Sequence, residues 1–295
     1  MPGTTGGPTR EDTFERGREF VRRNARLLEQ RLFVGVFESG DPAGLVDALR
    51  GYRNADGGFG HGLEPDKRCP DSQPLDVQFA LETMDAAGTM DLGLAQGACG
   101  FLVSVADERG AVPIILPSVA AYPHANHWAG DEFPPELNPT AGIAGLLHKH
   151  GVEHEWRTRA TGFCLDELER EPLEEAHTIR AVLVFLEQVP DRRRAEALAA
   201  QIGGWLRAAR WFKDDPADKS YGLGPLEFAP DPASPWRALF TDDEIERNLD
   251  HLLSEQQADG GWPLAWEPPS DASTLEWRGI QTVSALRVLT AYGRC

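Results

Sequence analysis

The chain has 295 residues, of which 41% are hydrophobic, enough to furnish one large domain or two ordinary ones with a substantial core. Its net charge of −18 argues against nucleic acid as a partner and against anionic membrane surfaces, because phosphate groups are held mainly by Lys and Arg. No apolar run approaches the roughly 18 to 20 residues that span a bilayer, and the amino-terminal stretch MPGTTGGPTREDTFERG contains no hydrophobic export segment, so a cytoplasmic protein without membrane insertion is expected.

Taken in chain order, residues 1–10 read as a flexible tail of Pro, Gly and Thr, and residues 11–295 as a single domain. Phe14, Phe20, Val21, Leu27 and Leu28 predict a helix over roughly 12–31, and Leu45, Leu49 and Tyr52 another over roughly 38–52. Further helices are predicted over roughly 75–87 and 91–106, after which AVPIILP at 111–117 reads as locally extended. Helical spacing returns over roughly 140–149, 153–169, 173–188, 191–209, 242–257 and 276–292. Glycine loops near 57, 110, 222 and 260 separate these helices, which fall into about six hairpins of about 50 residues each. The fold class predicted is therefore all-α. Hairpins that cannot bury their apolar faces alone stack on one another, into a solenoid or into a closed ring.

Two stretches repeat. NADGGFGHGLEPD at 54–66 and QADGGWPLAWEPP at 257–269 place Asp56, Gly57, Gly58, Phe59, Glu64 and Pro65 in step with Asp259, Gly260, Gly261, Trp262, Glu267 and Pro268. Asp-Gly supplies a sharp turn with positive φ at the glycine, and the aromatic ring is expected to pack back on its helix pair. The glycines are read as architecture rather than as a phosphate cradle, since no P-loop lysine or strand accompanies them.

Arg247, Leu252, Gln256, Gly260 and Trp262 reproduce the spacing of the QW motif, Q-x-x-x-G-x-W preceded by an aliphatic and a basic residue. In this the chain resembles the terpene cyclases, and the earlier loop, with Arg53 in the place of Gln, is similar to the matching repeat of protein prenyltransferase β subunits. The resemblance implies an α/α toroid of inner and outer helices. It also implies that each such loop leads into the amino terminus of an inner helix, so that loop residues gather at one end of a central cavity.

On that arrangement Glu64, Asp66, His124 and Glu267 are the candidate catalytic residues, with the carboxylates acting as acid and base. His61, Asp71, Tyr122, His127, Trp128, Tyr221 and Trp277 are candidate substrate contacts. Phe79, Phe185, Trp205, Trp211 and Trp236 are further aromatic residues able to line a cavity. No metal and no cofactor is expected. His124 and His127 lack a ligand cluster, Cys69-Pro70-Asp71 reverses the Asp-x-Cys order of the prenyltransferase zinc site, and Pro216 interrupts the DDxxD formed by Asp214, Asp215 and Asp218. The Asp-x-Asp-Asp motif of class II terpene cyclases is absent. The four cysteines, Cys69, Cys99, Cys164 and Cys295, form no CxxC pair and read as reduced thiols.

The function expected is a terpene-cyclase- or prenyltransferase-like enzyme acting on a hydrophobic, isoprenoid-type small molecule. A carbohydrate-active enzyme of the (α/α)6 kind and a non-catalytic binding toroid are the alternatives.

Overall fold

The computed structural model describes residues 10–130 and 132–295. The expected tail lies outside the described residues except for Arg10, which opens the first helix. Among the described residues the protein is all-α, with twelve helices and no β-strand, only isolated bridges. The chain divides into two compact units, one formed by residues 1–38 and 213–295, the other by residues 39–212.

In the first unit, α1 (Arg10–Asn24) and α2 (Leu27–Phe37) pack on α12 (Asp271–Ala291), which also meets α11 (Asp242–Ser254). α10 (Pro225–Phe228) packs on α11. The first and last helical hairpins of the chain therefore lie together. The single helix expected over 12–31 is broken at Ala25–Arg26: Arg26 is extended, and its guanidinium bonds Glu29, which is buried in the first turn of α2.

In the second unit, α3 (Ala43–Arg50), α5 (Leu92–Val105), α7 (Glu155–Leu168) and α9 (Arg192–Ala208) alternate along the chain with α4 (Pro74–Ala86), α6 (Leu137–Lys149) and α8 (Ala176–Gln188). α4 packs on α6 and α6 on α8, while α5 packs on α7. Gly142 faces Ala181, and Gly145 lies directly against the backbone of Val184 and Phe185, so α6 and α8 ascend in step and run parallel. Their amino termini point the same way. The stretch 111–117 is extended as expected at Val112, which bridges Glu136, before a short 3-10 segment at Pro117–Ala121.

The hairpins share one turn. At residues 54–58, the Asn54 N–H donates to Gly58 O and the Gly57 N–H to Asn54 O, while Asp56 accepts from the Gly58 N–H. Residues 257–261 repeat the same three bonds, and residues 107–111 repeat the two backbone ones. Gly57, Gly110 and Gly260 hold φ of 89°, 91° and 93°. A Cβ on each would collide with a neighbouring helix: α5 at Gly97, α7 at Arg159 and Ala160, and α1 at Arg16. The QW-like residues serve this docking. Gln256 donates to Thr13 O and to Gly260 O, and buried Trp262 donates its indole N–H to Leu252 O.

Gly260→Ala is expected to destabilise the protein by about 2 to 3 kcal/mol, since the added methyl meets both the positive φ and the carbonyl of Arg16. Gly88→Ala serves as the control, because Gly88 has φ 67° but open space around it; its cost is expected to stay near 1 kcal/mol. Urea midpoints of the two variants test this, and equal losses would deny the docking role.

Candidate functional site

The loop that follows the first turn, residues 60–73, folds inward although it is rich in charge. Lys67 is fully buried, and its ammonium donates to Glu64 Oε2 and to Asp76 Oδ1, each at 2.9 Å. Asp76, in the first turn of α4, is equally buried and also accepts the Glu64 N–H at 2.8 Å. Three ionisable groups thus share a site closed to water. Burying an ion costs several kcal/mol, and the arrangement persists because each charge is bonded to its neighbour.

One ammonium cannot neutralise two carboxylates. Burial pushes Lys67 down, but attraction to Asp76 and Glu64 outweighs it and holds the ammonium above its ordinary value. Burial also pushes the Asp76 carboxyl up, to about 6, against the pull of Lys67. A proton on Asp76 makes the group neutral overall. Asp76 Oδ2, which has no hydrogen-bond partner, is the natural seat for it.

This cluster anchors a second loop. The 66–68 segment pairs with 123–125: the Arg68 N–H donates to Pro123 O at 2.8 Å, the Ala125 N–H to Asp66 O at 2.7 Å, and Lys67 bridges His124. His124 Nδ1 lies 2.6 Å from Tyr122 O. His127, in a short 3-10 turn, places Nε2 3.6 Å from Asp66 Oδ2, with Asp66 buried and the imidazole half-exposed. Burial lowers the pKa of His127, and His177, His124 and Lys67 lower it further against the opposing charge of Glu64. The imidazole is therefore neutral at pH 7 and able to take up a proton.

The amino-terminal half of α8 lies beside α6 and α4, since Ala181 of α8 and Gln78 of α4 both meet Gly142 of α6. Glu175 caps that helix, accepting from the N–H groups of His177 and Thr178, and it pairs with His177 Nδ1. Burial pushes the Glu175 carboxyl up, but these bonds and the charge of His177 hold it below the usual carboxylate range. Glu136, just ahead of α6, is raised by desolvation and then by Glu175. Asp76, Glu136 and Glu175 thus stand at the amino-terminal ends of α4, α6 and α8.

Of the residues singled out from sequence, Glu64, Asp66, Tyr122, His124, His127 and Trp128 come together here. Tyr122 and Trp128 pack on a small apolar cluster of Cys69, Ile115 and Val119, and Trp128 meets the His127 ring at 4.6 Å. His61 and Asp71 are exposed on the same loop, with His61 bonded to Asn54 at 2.9 Å. Glu267, Tyr221 and Trp277 belong to the other unit. There Glu267 is exposed and lines an open cleft of about 590 Å³ with Pro263, Leu264, Trp266 and Arg278. Trp266 meets Tyr221 and Trp277 edge-on at 5.8 and 5.1 Å.

Lys67 and Glu175 were not singled out from sequence. Lys67 had a signal, being one of just four lysines in the chain and set between acids in a proline-flanked loop. The repeat sharpens its meaning. At the positions matching Asp66, Lys67 and Asp76, the second copy has Pro269, Ser270 and Gly279. The turn is thus built twice but the charge cluster once, so the cluster is not a requirement of the turn.

Among the described residues no group of three or more His, Cys, Asp and Glu side chains is placed to hold a metal ion. No described helix is long and apolar enough to cross a membrane. In comparison with known proteins, the chain matches no family model and no curated protein.

Lys67→Met is expected to cost about 3 to 5 kcal/mol in urea unfolding, because it strands two buried carboxylates; a loss below about 1 kcal/mol would contradict the pairing. Asp76 also sets a pH dependence. Its folded value of about 6 lies above its ordinary 3.8, so its stabilising contribution is complete below 3.8 and lost as pH rises through about 6. Wild-type stability measured relative to Asp76→Asn should accordingly fall over that window, and a flat difference would count against a raised carboxyl.

Proposed function

We propose that this chain is an enzyme that performs acid–base chemistry on a small molecule at the amino-terminal ends of α4, α6 and α8. The single observation behind this reading is the Asp66–His127 pair, a buried carboxylate facing a half-exposed imidazole whose pKa is lowered. At 3.6 Å the Asp66 carboxylate favours a proton on Nε2 by charge, which would leave Nδ1 as the basic atom. The buried Glu64–Lys67–Asp76 group holds the Asp66 loop in place beneath it. His124 and the Glu175–His177 pair supply further donors and acceptors around a bound molecule.

The helical hairpins, the shared turn and the QW-like spacing support a scaffold of the α/α-toroid kind, similar to terpene cyclases and prenyltransferase β subunits. Chemistry on this scaffold follows from the site rather than from the scaffold. The exposed groups there, His61, Asp71 and half of the His127 ring, are polar, which favours a hydroxylated substrate, the carbohydrate-type reading, over an isoprenoid. The isoprenoid reading keeps one specific support, the Tyr221–Trp266–Trp277 group in the unit that carries Glu267 and its cleft.

Native mass spectrometry of the purified protein, followed by a turnover screen of sugar and prenyl compounds, tests the proposal. With the substrate identified, Asp66→Asn and His127→Ala are each expected to lower kcat by about 10² to 10⁴ with the fold retained. Because the base must be neutral, kcat/KM should rise with pH through a midpoint below 6.5 and be level at pH 7. Full activity in both variants, or a midpoint above 6.5, would overturn it.

A further inference from the structure

The residue that follows α9 and its short exit, Trp211, breaks two rules at once. Its φ is 63°, in the left-handed region that bulky side chains avoid, and 48% of its surface is exposed to solvent. A tryptophan placed in a costly backbone conformation would ordinarily be rewarded by burial. Here it is not. Backbone strain that persists without a packing return points to a use in binding, provided that the surroundings hold the residue in place.

The surroundings do hold it. The Arg210 N–H donates to Glu174 O at 2.8 Å, and the Ala176 N–H donates to Arg210 O at 3.1 Å, so the segment carrying Trp211 is stitched to the start of α8. The Arg210 guanidinium lies over the indole ring, 5.1 Å from its centre. The indole and the His177 ring meet in a T-shaped contact, with centroids 5.8 Å apart and planes at 73°. His177 in turn is paired with Glu175, the cap of α8. A half-exposed indole, held in place, therefore adjoins the Glu175–His177 pair at the amino terminus of α8.

We propose that Trp211 is a substrate platform that stacks on the apolar face of a pyranose ring, with Glu175 and His177 at its edge to bond the hydroxyls. A sugar ring presents a flat patch of C–H groups bordered by hydroxyls, and a flat indole bordered by carboxylate and imidazole is its complement. An isoprenoid chain has no use for that polar border and calls for apolar enclosure instead. This inference rests on the acid–base reading of the neighbouring pair and names its substrate class. Trp211 is a binding residue in this account, and the proton transfer stays with Asp66 and His127.

Saturation-transfer NMR on the full chain, using methyl glycosides of glucose, galactose and mannose with farnesol as the apolar control, provides the test. Transfer to the ring protons of at least one glycoside is expected in wild type, lost at least 10-fold in Trp211→Gly and kept within about 3-fold in Trp211→Phe. Trp211→Gly also separates binding from structure: glycine relieves the positive φ, so its Tm should hold or rise while binding disappears. Absence of transfer to every glycoside, equal transfer in Trp211→Gly, or a Tm lowered by more than about 5 °C in that variant would overturn the platform. Asp66→Asn distinguishes the two proposals. If that variant binds the glycoside and still turns it over, the acid–base reading fails while the platform stands; if wild type turns over a substrate but binds no glycoside, the platform fails alone.

Discussion

The fully buried ammonium of Lys67, held between Glu64 and Asp76, is the interaction on which the site depends. It joins a loop to the first turn of α4 through two 2.9 Å bonds, and the Glu64 N–H adds a third link to the same Asp76 oxygen. Because the loop cannot slide without stranding a buried charge, the neighbouring residues are fixed as well. Asp66 and Arg68 flank Lys67, and their backbone groups carry the 123–125 segment that brings His127 to Asp66. The approach of His127 to Asp66 follows from the buried lysine rather than from local turn propensity.

The repeated turn supplies the frame and the loop after it supplies the difference. In each of the three copies a left-handed glycine seats on the backbone of another helix, so a hairpin is positioned by its turn as much as by its apolar face. In the first copy the residues that follow are Glu64, Asp66 and Lys67, which turn inward. In the last copy the corresponding stretch holds Glu267 exposed at a cleft and gives Ser270 the task of capping α12. One architectural device has thus been combined with two different chemistries.

Much of this is legible in the sequence, for physical reasons that differ by feature. The helices follow from apolar spacing, and the turns at 57 and 260 from Asp-Gly chemistry, which is local. The turn at 107–111 has the same backbone bonds but reads Asp-Glu-Arg-Gly-Ala, so only its glycine advertised it. The break at Ala25–Arg26 was not legible, because no glycine or proline marks it. His124 and His127 stood out as an HxxH in a loop, yet the partner that gives His127 meaning is 61 residues away in sequence, at Asp66. Trp211 stood out as an aromatic residue able to line a cavity, but its left-handed backbone gave no signal, since neither glycine nor asparagine marks it.

Burial, with a smaller push from the charge of Glu64, raises the Asp76 carboxyl to about 6 although Lys67 pulls it down. An NMR titration of the Asp76 side-chain carbonyl carbon, assigned by comparison with Asp76→Asn, tests this most directly. A midpoint near 6, well above the ordinary 3.8, is the result that the buried three-group site requires. A midpoint at or below 3.8 would contradict it, because Asp76 would then be an ordinary paired carboxylate and the cluster no more than a buried salt bridge.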